Sequence, residues 1–175
     1  MTDLTGGLPD DVDVPAFDGA HFRQVLGHFP TGVTVITADG PDGPVGLAIG
    51  SFTSVSLDPP LVAFCPDKRS SSWPRIREAG VFCVNVLGED QELVCRTFAS
   101  KGADKFKGIG WEPTSTGSPK LAGVLAWIDC TVEDTTVYGD HYLVVGRVVD
   151  LSHHEEPHTP LVFYKGALGG FLAAE

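Results

Sequence analysis

Hydrophobic positions follow two different periods along the chain, and each period predicts a different element. Apolar residues from Phe22 to Phe29 follow the i, i+3, i+4, i+7 spacing of an amphipathic helix. Asp18 is typical of a helix N-cap, and Pro30 is expected to end this helix. A short helix is predicted at residues 73–79, and another helix at residues 89–100.

Runs of β-branched and aromatic residues, separated by turn chemistry, predict the strands. The strand regions are 32–37, 45–49, 52–57, 61–65, 81–87, 126–133, 141–151 and 160–164. Gly139 and Asp140 form a turn signal between two of these regions, which are expected to pair as a long antiparallel hairpin. The glycine-rich segment 101–119 is expected to be an irregular loop of functional length.

Grouped strands joined by turns favour an antiparallel architecture over a series of βαβ units. The pattern therefore predicts a mainly β fold with a few helices, either a barrel or a sandwich. In the third helix, Leu93, Val94 and Phe98 are expected to share one side. A chain of 175 residues is one domain by length.

The charge pattern excludes some classes of partner. The formal net charge is −11, and five acidic residues precede Arg23, the first base. Residues 1–16 are therefore interpreted as a flexible acidic tail, followed by a domain at 17–175. An acidic chain repels nucleic-acid phosphates and anionic lipids, so neither is expected as a partner.

Two further observations predict a cytoplasmic protein. It has no apolar run of about 18 residues and no basic, apolar leader, so neither a membrane span nor a secretory signal is expected. Its four cysteines form no C-x-x-C pair and are interpreted as buried free thiols of a reducing compartment, namely Cys65, Cys83, Cys95 and Cys130.

Eight of the twelve basic residues lie between Lys68 and Lys107. Such clustering is compatible with a solvated surface and also with a local site for a small anion, such as a cofactor phosphate. Common nucleotide and hydrolase motifs are absent: the chain has no G-x-G-x-x-G, no P-loop and no G-x-S-x-G. Histidines at 153, 154 and 158 invite a metal interpretation, but Pro157 interrupts them, so an exposed loop and no metal are expected.

Three short segments carry the residue types that a flavin needs. They are 29–33 at a helix-to-strand junction, 47–56 with small and hydroxyl residues, and Arg69 followed by three serines. Small residues let the backbone approach an isoalloxazine edge, and hydroxyls with a cation suit a phosphate. Each segment alone has an ordinary structural explanation.

Taken in order, these segments resemble the flavin reductase-like family, the small FMN- or FAD-using reductases that supply two-component monooxygenases. The resemblance covers roughly residues 17–171, with segments at 30–33, 51–56, 58–61, 70–72, 98–106, 139–141 and 160–166. It implies a Greek-key split β-barrel of the FMN-binding type and a homodimer. It also implies FAD or FMN and NADH or NADPH as cofactors, and an oxygenase component served by diffusing reduced flavin.

The resemblance also implies the site residues. The isoalloxazine and ribityl chain would be lined by Thr31, Gly32, Val33, Ala48, Ile49, Gly50, Ser51, Phe52 and Thr53. The phosphate would be bound by Ser70, Ser71 and Ser72. The cofactor or the dinucleotide tail would be covered by Phe98, Ala99, Lys105 and Phe106. His141 would position the nicotinamide.

The chain departs from the family at two positions. Gly50 stands where an asparagine is usual, so backbone contacts are expected to matter more there. Leu168 stands where an aromatic residue is common.

Hydride transfer between two cofactors needs alignment and no essential acid or base. The alternatives are a pyridoxamine-phosphate-oxidase-like enzyme, a non-catalytic flavin- or haem-binding barrel, and an interaction barrel without ligand.

Overall fold

Three α-helices lie in the part of the chain that the computed structural model describes, residues 18–102, 104–155 and 159–172. They are α1 (Gly19–Leu26), α2 (Trp73–Ala79) and α3 (Glu92–Ala99), the last preceded by a 3₁₀ turn at Glu89–Gln91. The tail expected at residues 1–16 lies outside the described residues. No described helix is both long and apolar enough to span a bilayer.

Twelve strands account for most of the remaining described chain. They are β1 (Thr31–Gly32), β2 (Thr34–Gly40), β3 (Gly43–Ile49), β4 (Thr53–Leu57), β5 (Pro60–Phe64), β6 (Val81–Val86), β7 (Trp111–Pro113), β8 (Pro119–Leu121), β9 (Ala126–Tyr138), β10 (His141–His153), β11 (Val162–Tyr164) and β12 (Ala167–Gly169).

Seven strands form one antiparallel sheet in the order β3-β2-β6-β9-β10-β5-β4. β9 and β10, thirteen residues each, pair along their whole length and join the two halves of the sheet. A three-stranded sheet, β1-β11-β12, and the hairpin of β7 and β8 complete the structure. The expected mainly β, split-barrel class is confirmed.

Helix α1 begins where the sequence predicts, but ends earlier. The Asp18 carboxylate accepts a hydrogen bond from the Ala20 amide at 3.2 Å, as an N-cap does. The helix then ends at Leu26, where the Gly27 amide closes the last turn on Arg23. Pro30 therefore follows the helix and does not end it. None of the helix's residues is buried within the chain.

Residues 101–119 are not irregular throughout, as expected, because buried polar groups hold a hairpin there. The carboxylate of Asp129, fully buried, accepts bonds from the Ser115 hydroxyl at 2.8 Å and the Thr116 amide at 2.9 Å. The Asn85 side chain accepts from the Leu121 amide at 2.8 Å. These side chains supply the partners that the short strands β7 and β8 lack, so the hairpin is fixed against the large sheet.

Two apolar clusters form the core. One packs the sheet beneath α2 and includes Phe64, Phe82 and Trp73. The other lies beneath α3 and includes Val33 and Phe98. The expectation that Leu93 shares the buried side of α3 is wrong: its side chain is 79% exposed, because the core contacts of that helix come from Cys95 and Phe98.

The cysteines are free thiols, as expected, but they are not equally buried. Cys83, Cys95 and Cys130 are buried, whereas Cys65 is only half-buried. Burial raises the pKa of the Cys130 thiol to about 12 and also raises the pKa values of Cys83 and Cys95. These three thiols therefore stay protonated at neutral pH.

The hairpin of β9 and β10 depends on a close approach at Gly146. A methyl group there would overlap the Phe82 ring, with its Cε1 atom only 2.9 Å away. Both residues are buried. Overpacking of a tight core usually costs about 1–3 kcal/mol because rings must leave their preferred rotamers.

We therefore expect Gly146→Ala to lower the free energy of unfolding by about 1–3 kcal/mol, measured by urea denaturation. Gly169→Ala is the matched control, because nothing lies within 4 Å of the added methyl group. Equal midpoints for the two variants would contradict the tight packing.

Candidate cofactor-binding cleft

An open cleft of about 850 Å³ lies where β3 ends, between α3, the loop before α2 and the start of β10. Eleven of the predicted site residues line it: Ala48, Ile49, Gly50, Ser51, Ser70, Ser71, Ser72, Phe98, Ala99, Lys105 and His141. These residues come from five separate segments of the chain. The fold therefore brings most of the predicted site together, and the volume suits a cofactor-sized ligand.

Six predicted residues do not line the cleft. Val33 is buried in the core beneath α3, and Phe52 packs against the core beneath α2. Thr53 opens β4 and is exposed. Thr31 and Gly32 form β1 and pair with β11, and Phe106 lines a neighbouring cavity. For Val33 and Phe52 the reason is physical: their apolar side chains are used for packing.

Sequence reasoning missed several lining residues, among them Cys65, Asp67 and Lys101, whereas Arg69, which opens the predicted serine segment, does line the cleft. Arg69 carried a signal, as the cation beside the three serines, but Asp67 did not. The Arg69 guanidinium pairs with the Asp67 carboxylate at 2.7 Å. This pair, through its hydrogen bonds, holds the pKa of Asp67 well below its usual range.

The end of β3 is fixed in the cleft by Ser51. Its hydroxyl accepts a hydrogen bond from the Cys65 amide at 2.9 Å and donates one to the Cys65 carbonyl at 3.4 Å. Both bonds tie the segment after β3 to the end of β5, so the hydroxyl predicted to contact a flavin is already used by the backbone. Ser51 therefore positions the wall of the cleft.

The three serines have different environments. The Ser70 hydroxyl accepts a hydrogen bond from the Trp73 amide at 3.2 Å and so supports the first turn of α2. Ser72 is buried with its hydroxyl 3.5 Å from the Lys105 ammonium. Ser71 is exposed, and among the described residues its hydroxyl has no hydrogen-bond partner. The Ser72 hydroxyl is thus placed beside a cation, and Ser71 lines the same cleft.

Lys105 is a buried cation whose partners are neutral. Its ammonium donates to the Phe98 carbonyl at 2.9 Å and to the Gly46 carbonyl at 3.2 Å. Only 9% of the residue is exposed, and burial lowers the pKa of this amine. No carboxylate in the described part of the chain forms an ion pair with it. A buried ammonium without a counter-charge is suited to an anionic ligand.

His141 is held in the cleft by the loop after β5. The Lys68 amide donates to the Asp140 carbonyl and the Tyr142 amide to the Pro66 carbonyl, each at 3.0 Å. The imidazole Nδ1 lies 2.7 Å from the Asp140 carboxylate, and this bond lowers the pKa of Asp140. Because a carboxylate only accepts, Nδ1 carries the proton, and the Nε2 of a neutral ring is left as an acceptor.

Small residues let the backbone form the wall. A Cβ on Gly50 would stand 3.1 Å from the Thr31 hydroxyl, which is buried and without a partner in the described chain. The usual asparagine would therefore crowd Thr31. β3 is an edge strand, and its Gly46 carbonyl points outward to Lys105. By strand periodicity, the backbone groups of Ala48 face the same side and can bind the edge of a ligand.

The histidine-rich segment lies elsewhere. His153 and His154 are exposed and line a separate cavity of about 400 Å³, together with Trp111 and Trp127. His158 falls outside the described residues. Within the described ranges no group of metal-ligating side chains is close enough to hold an ion.

A split barrel with cations, hydroxyls and outward backbone groups in one cleft is suited to a ligand that carries a phosphate. Comparison with known proteins specifies the class. The flavin reductase like domain family matches residues 26–171, and the chain belongs to this family. It is an oxidoreductase of the flavin reductase class.

Relatives and solved structures agree with this assignment. A flavin reductase from Pseudomonas putida is 54% identical, over 90% of this chain and 93% of the relative. The reductase subunit HsaB of a flavin-dependent monooxygenase from Rhodococcus jostii is 48% identical, over 97% of this chain and 86% of the relative.

Solved structures also match the fold. Nitrilotriacetate monooxygenase component B from Mycobacterium thermoresistibile is 51% identical with a TM-score of 0.85, covering 87% of this chain and 86% of its own. The NADH:FAD oxidoreductase SgcE6 of Streptomyces globisporus, in complex with NAD and FAD fragments, is 35% identical with a TM-score of 0.83, covering 89% and 93%.

The ion pair between Asp67 and Arg69 allows a direct test of the electrostatics of the cleft. We expect Arg69→Ala to raise the pKa of Asp67 toward its ordinary value of 3.8, because the largest stabilisation of the carboxylate is the bond from Arg69. Side-chain carboxyl NMR across an acid titration measures this shift. Arg77→Ala, on the exposed side of α2, is the control. An unchanged Asp67 titration in Arg69→Ala would mean that the pair does not form in solution.

Proposed function

We propose that this flavin reductase oxidises NADH or NADPH and reduces FAD or FMN by hydride transfer in the cleft. We further propose that the reduced flavin leaves for a separate monooxygenase component. The observation that carries the proposal is the convergence of Lys105, two serine hydroxyls and His141 on one cleft. An anion site and an imidazole acceptor in one open groove suit a flavin phosphate together with a nicotinamide.

The chain's own residues bind and orient the two partners. Lys105, Ser71 and Ser72 would hold the flavin phosphate, because their donors have no anionic partner in the described chain. The outward backbone groups of Ala48 would bind the polar edge of the isoalloxazine. Gly50 leaves room for that close approach. When bound, the flavin would supply the acceptor for one hydride, which carries two electrons and a proton.

His141 would position the nicotinamide. With Nδ1–H engaged by Asp140, its Nε2 can accept a hydrogen bond from the nicotinamide carboxamide. The side chain is 44% exposed, so it reaches a ligand at the mouth of the cleft without blocking it. This is a positioning role and involves no proton transfer.

The cofactor and partner assignments draw support from the relatives. SgcE6 is named an NADH:FAD oxidoreductase, and HsaB and component B are named as parts of monooxygenases. An open cleft also permits release of the reduced flavin. The test is steady-state oxidation of NADH and NADPH at 340 nm with FAD and with FMN. Rates no higher than the flavin-free rate in all four combinations would overturn the proposal.

For His141→Ala we expect the KM for the nicotinamide substrate to rise about fivefold, the effect of losing one hydrogen bond of about 1 kcal/mol. The KM for flavin should change much less. His141→Gln, which retains an acceptor, should recover part of the effect. His153→Ala, at the opposite end of β10, is the control. Equal effects on both KM values would point to a structural role instead.

We also propose that the chain functions as a homodimer. On α1, the side chains of Phe22, Val25 and Leu26 are each more than half exposed, and Phe29 beside them is 74% exposed. Just after its end, the helix is joined to the small sheet, where the Lys165 amide donates to the Gly27 carbonyl at 2.9 Å and the His28 ring packs edge-on against Tyr164. A contiguous apolar face of this kind is typical of an interaction surface.

We expect the double variant Phe22→Gln, Leu26→Gln to shift a dimer toward monomer in sedimentation velocity at micromolar concentration. The fold should persist, because neither side chain is buried within the chain. Leu93→Gln, at an isolated exposed leucine, is the matched control. A wild-type chain that sediments as a monomer would contradict the dimer.

A further inference from the structure

A cavity of about 400 Å³ lies at the end of the β9–β10 hairpin that is opposite to His141. We call it the indole pocket, because Trp111 of β7 and Trp127 of β9 line it together with Lys120 of β8. Among the described residues, none lines both the indole pocket and the cofactor cleft. The proposed function therefore makes no use of this pocket, although its volume lies within the usual range of small-molecule sites.

The wall of the indole pocket is aromatic. Two of the three tryptophans in the chain line it, whereas the third, Trp73, is buried in the core. Trp111 is exposed and Trp127 is half-buried. Indole rings bury a large apolar area when they are covered, and they prefer ring partners at stacked or edge-on geometry. Two such rings around one cavity are suited to a planar aromatic ligand.

Lys120 places a positive charge at the same wall. Its ammonium lies over the Trp127 ring, 5.2 Å from the ring centroid, as in a cation–π pair. It also forms an ion pair with Glu112, which is directly opposite on β7 and is the one acidic residue among the described residues of the lining. The Glu112 side chain is 66% exposed, and an ion pair so open to water contributes little. A ligand carboxylate can therefore replace Glu112 on the ammonium.

The indole pocket is connected to the start of α3 by hydrogen bonds. Gln91 is buried and ends the 3₁₀ turn that leads directly into α3. Its side chain accepts a hydrogen bond from the Gly88 amide at 3.1 Å and donates one to the carbonyl of Ala122 at 2.9 Å. Because Ala122 lines the indole pocket, a shift of that wall acts on the turn that begins the helix.

A series of aromatic rings connects the pocket to the end of the same helix. Trp111 packs edge-on against Phe106, and Phe106 packs edge-on against Phe98, with centroid distances of 6.1 Å and 5.1 Å. Phe98 belongs to α3 and lines the cofactor cleft. The indole pocket therefore contacts both ends of the helix that borders the cleft, and close-packed interiors transmit strain.

We propose that the indole pocket is an effector site for an aromatic acid, and that its occupancy changes the affinity of the cleft for flavin. The ring of the acid lies against Trp111 and Trp127, and its carboxylate pairs with Lys120. Displacement of the pocket wall then reaches the cleft through α3. The effector role rests on the proposed function, because it requires a flavin in the cleft, whereas binding of the acid does not.

Binding is tested on the full chain by isothermal titration calorimetry, with 2-naphthoate as the probe. Two matched compounds separate the interactions. The neutral 2-naphthamide keeps the rings and should bind about tenfold more weakly, the effect of losing a charge-assisted hydrogen bond. Decahydro-2-naphthoate keeps the charge and should bind about fivefold more weakly, because it makes no aromatic pair with the indoles.

Variants place the probe in the indole pocket. In Lys120→Gln the Kd for 2-naphthoate should rise about tenfold, because the charge-assisted bond is lost. In Glu112→Gln it should fall about threefold, because the competing carboxylate of an exposed ion pair is removed. Lys107→Gln, at an exposed lysine outside the pocket lining, is the matched control. Thermal melting checks that each variant is folded. No binding to the wild type, or equal Kd values for Lys120→Gln and Lys107→Gln, would overturn the site.

The effector role is tested by titrating the chain with FMN and with FAD, followed by flavin fluorescence, at increasing concentrations of 2-naphthoate. The flavin Kd should change about fivefold or more and then level off, and flavin should change the Kd for 2-naphthoate by the same factor. An unchanged flavin Kd contradicts the effector role. A flavin Kd that rises without limit shows competition inside the cleft and also contradicts it. Oxidation of NADH with flavin in the absence of 2-naphthoate tests the proposed function separately.

Discussion

The antiparallel pairing of β9 with β10 is the constraint on which the rest of the structure depends. These two strands are central in the order of the large sheet, with three strands on one side and two on the other. Their connecting turn presents His141 to the cleft, and the loop after β5 is bonded to that turn. The same pairing that joins the two halves of the barrel therefore also sets the distance between the histidine and the serine loop.

The cleft requires a positively charged side chain to be buried, and this burial costs free energy. Lys105 is placed between the carbonyl of an edge strand and the C-terminal end of α3, where a helix dipole favours a cation. Two backbone carbonyls and the Ser72 hydroxyl keep this ammonium in place, and burial lowers its pKa. An anionic ligand would supply the missing counter-charge. Binding strength and the stability of the empty protein are thus in opposition at this residue, as is common at functional sites.

The fold class and most of the cleft could be predicted from the sequence, because strand periodicity and the serine segment are local signals. The errors have physical causes that the local pattern does not contain. The side chain of Val33 is used for packing, and the hairpin within 101–119 depends on the distant carboxylate of Asp129.

The unequal burial of the four thiols has a chemical consequence for an enzyme that handles reduced cofactors. Oxidants attack the thiolate, and access to it decides the rate. Cys83, Cys95 and Cys130 are kept protonated and out of reach within the packed interior. Cys65 alone among the four shares a wall with the cleft. Any peroxide formed there would meet one sulfur, and the cysteines that support the barrel would be spared.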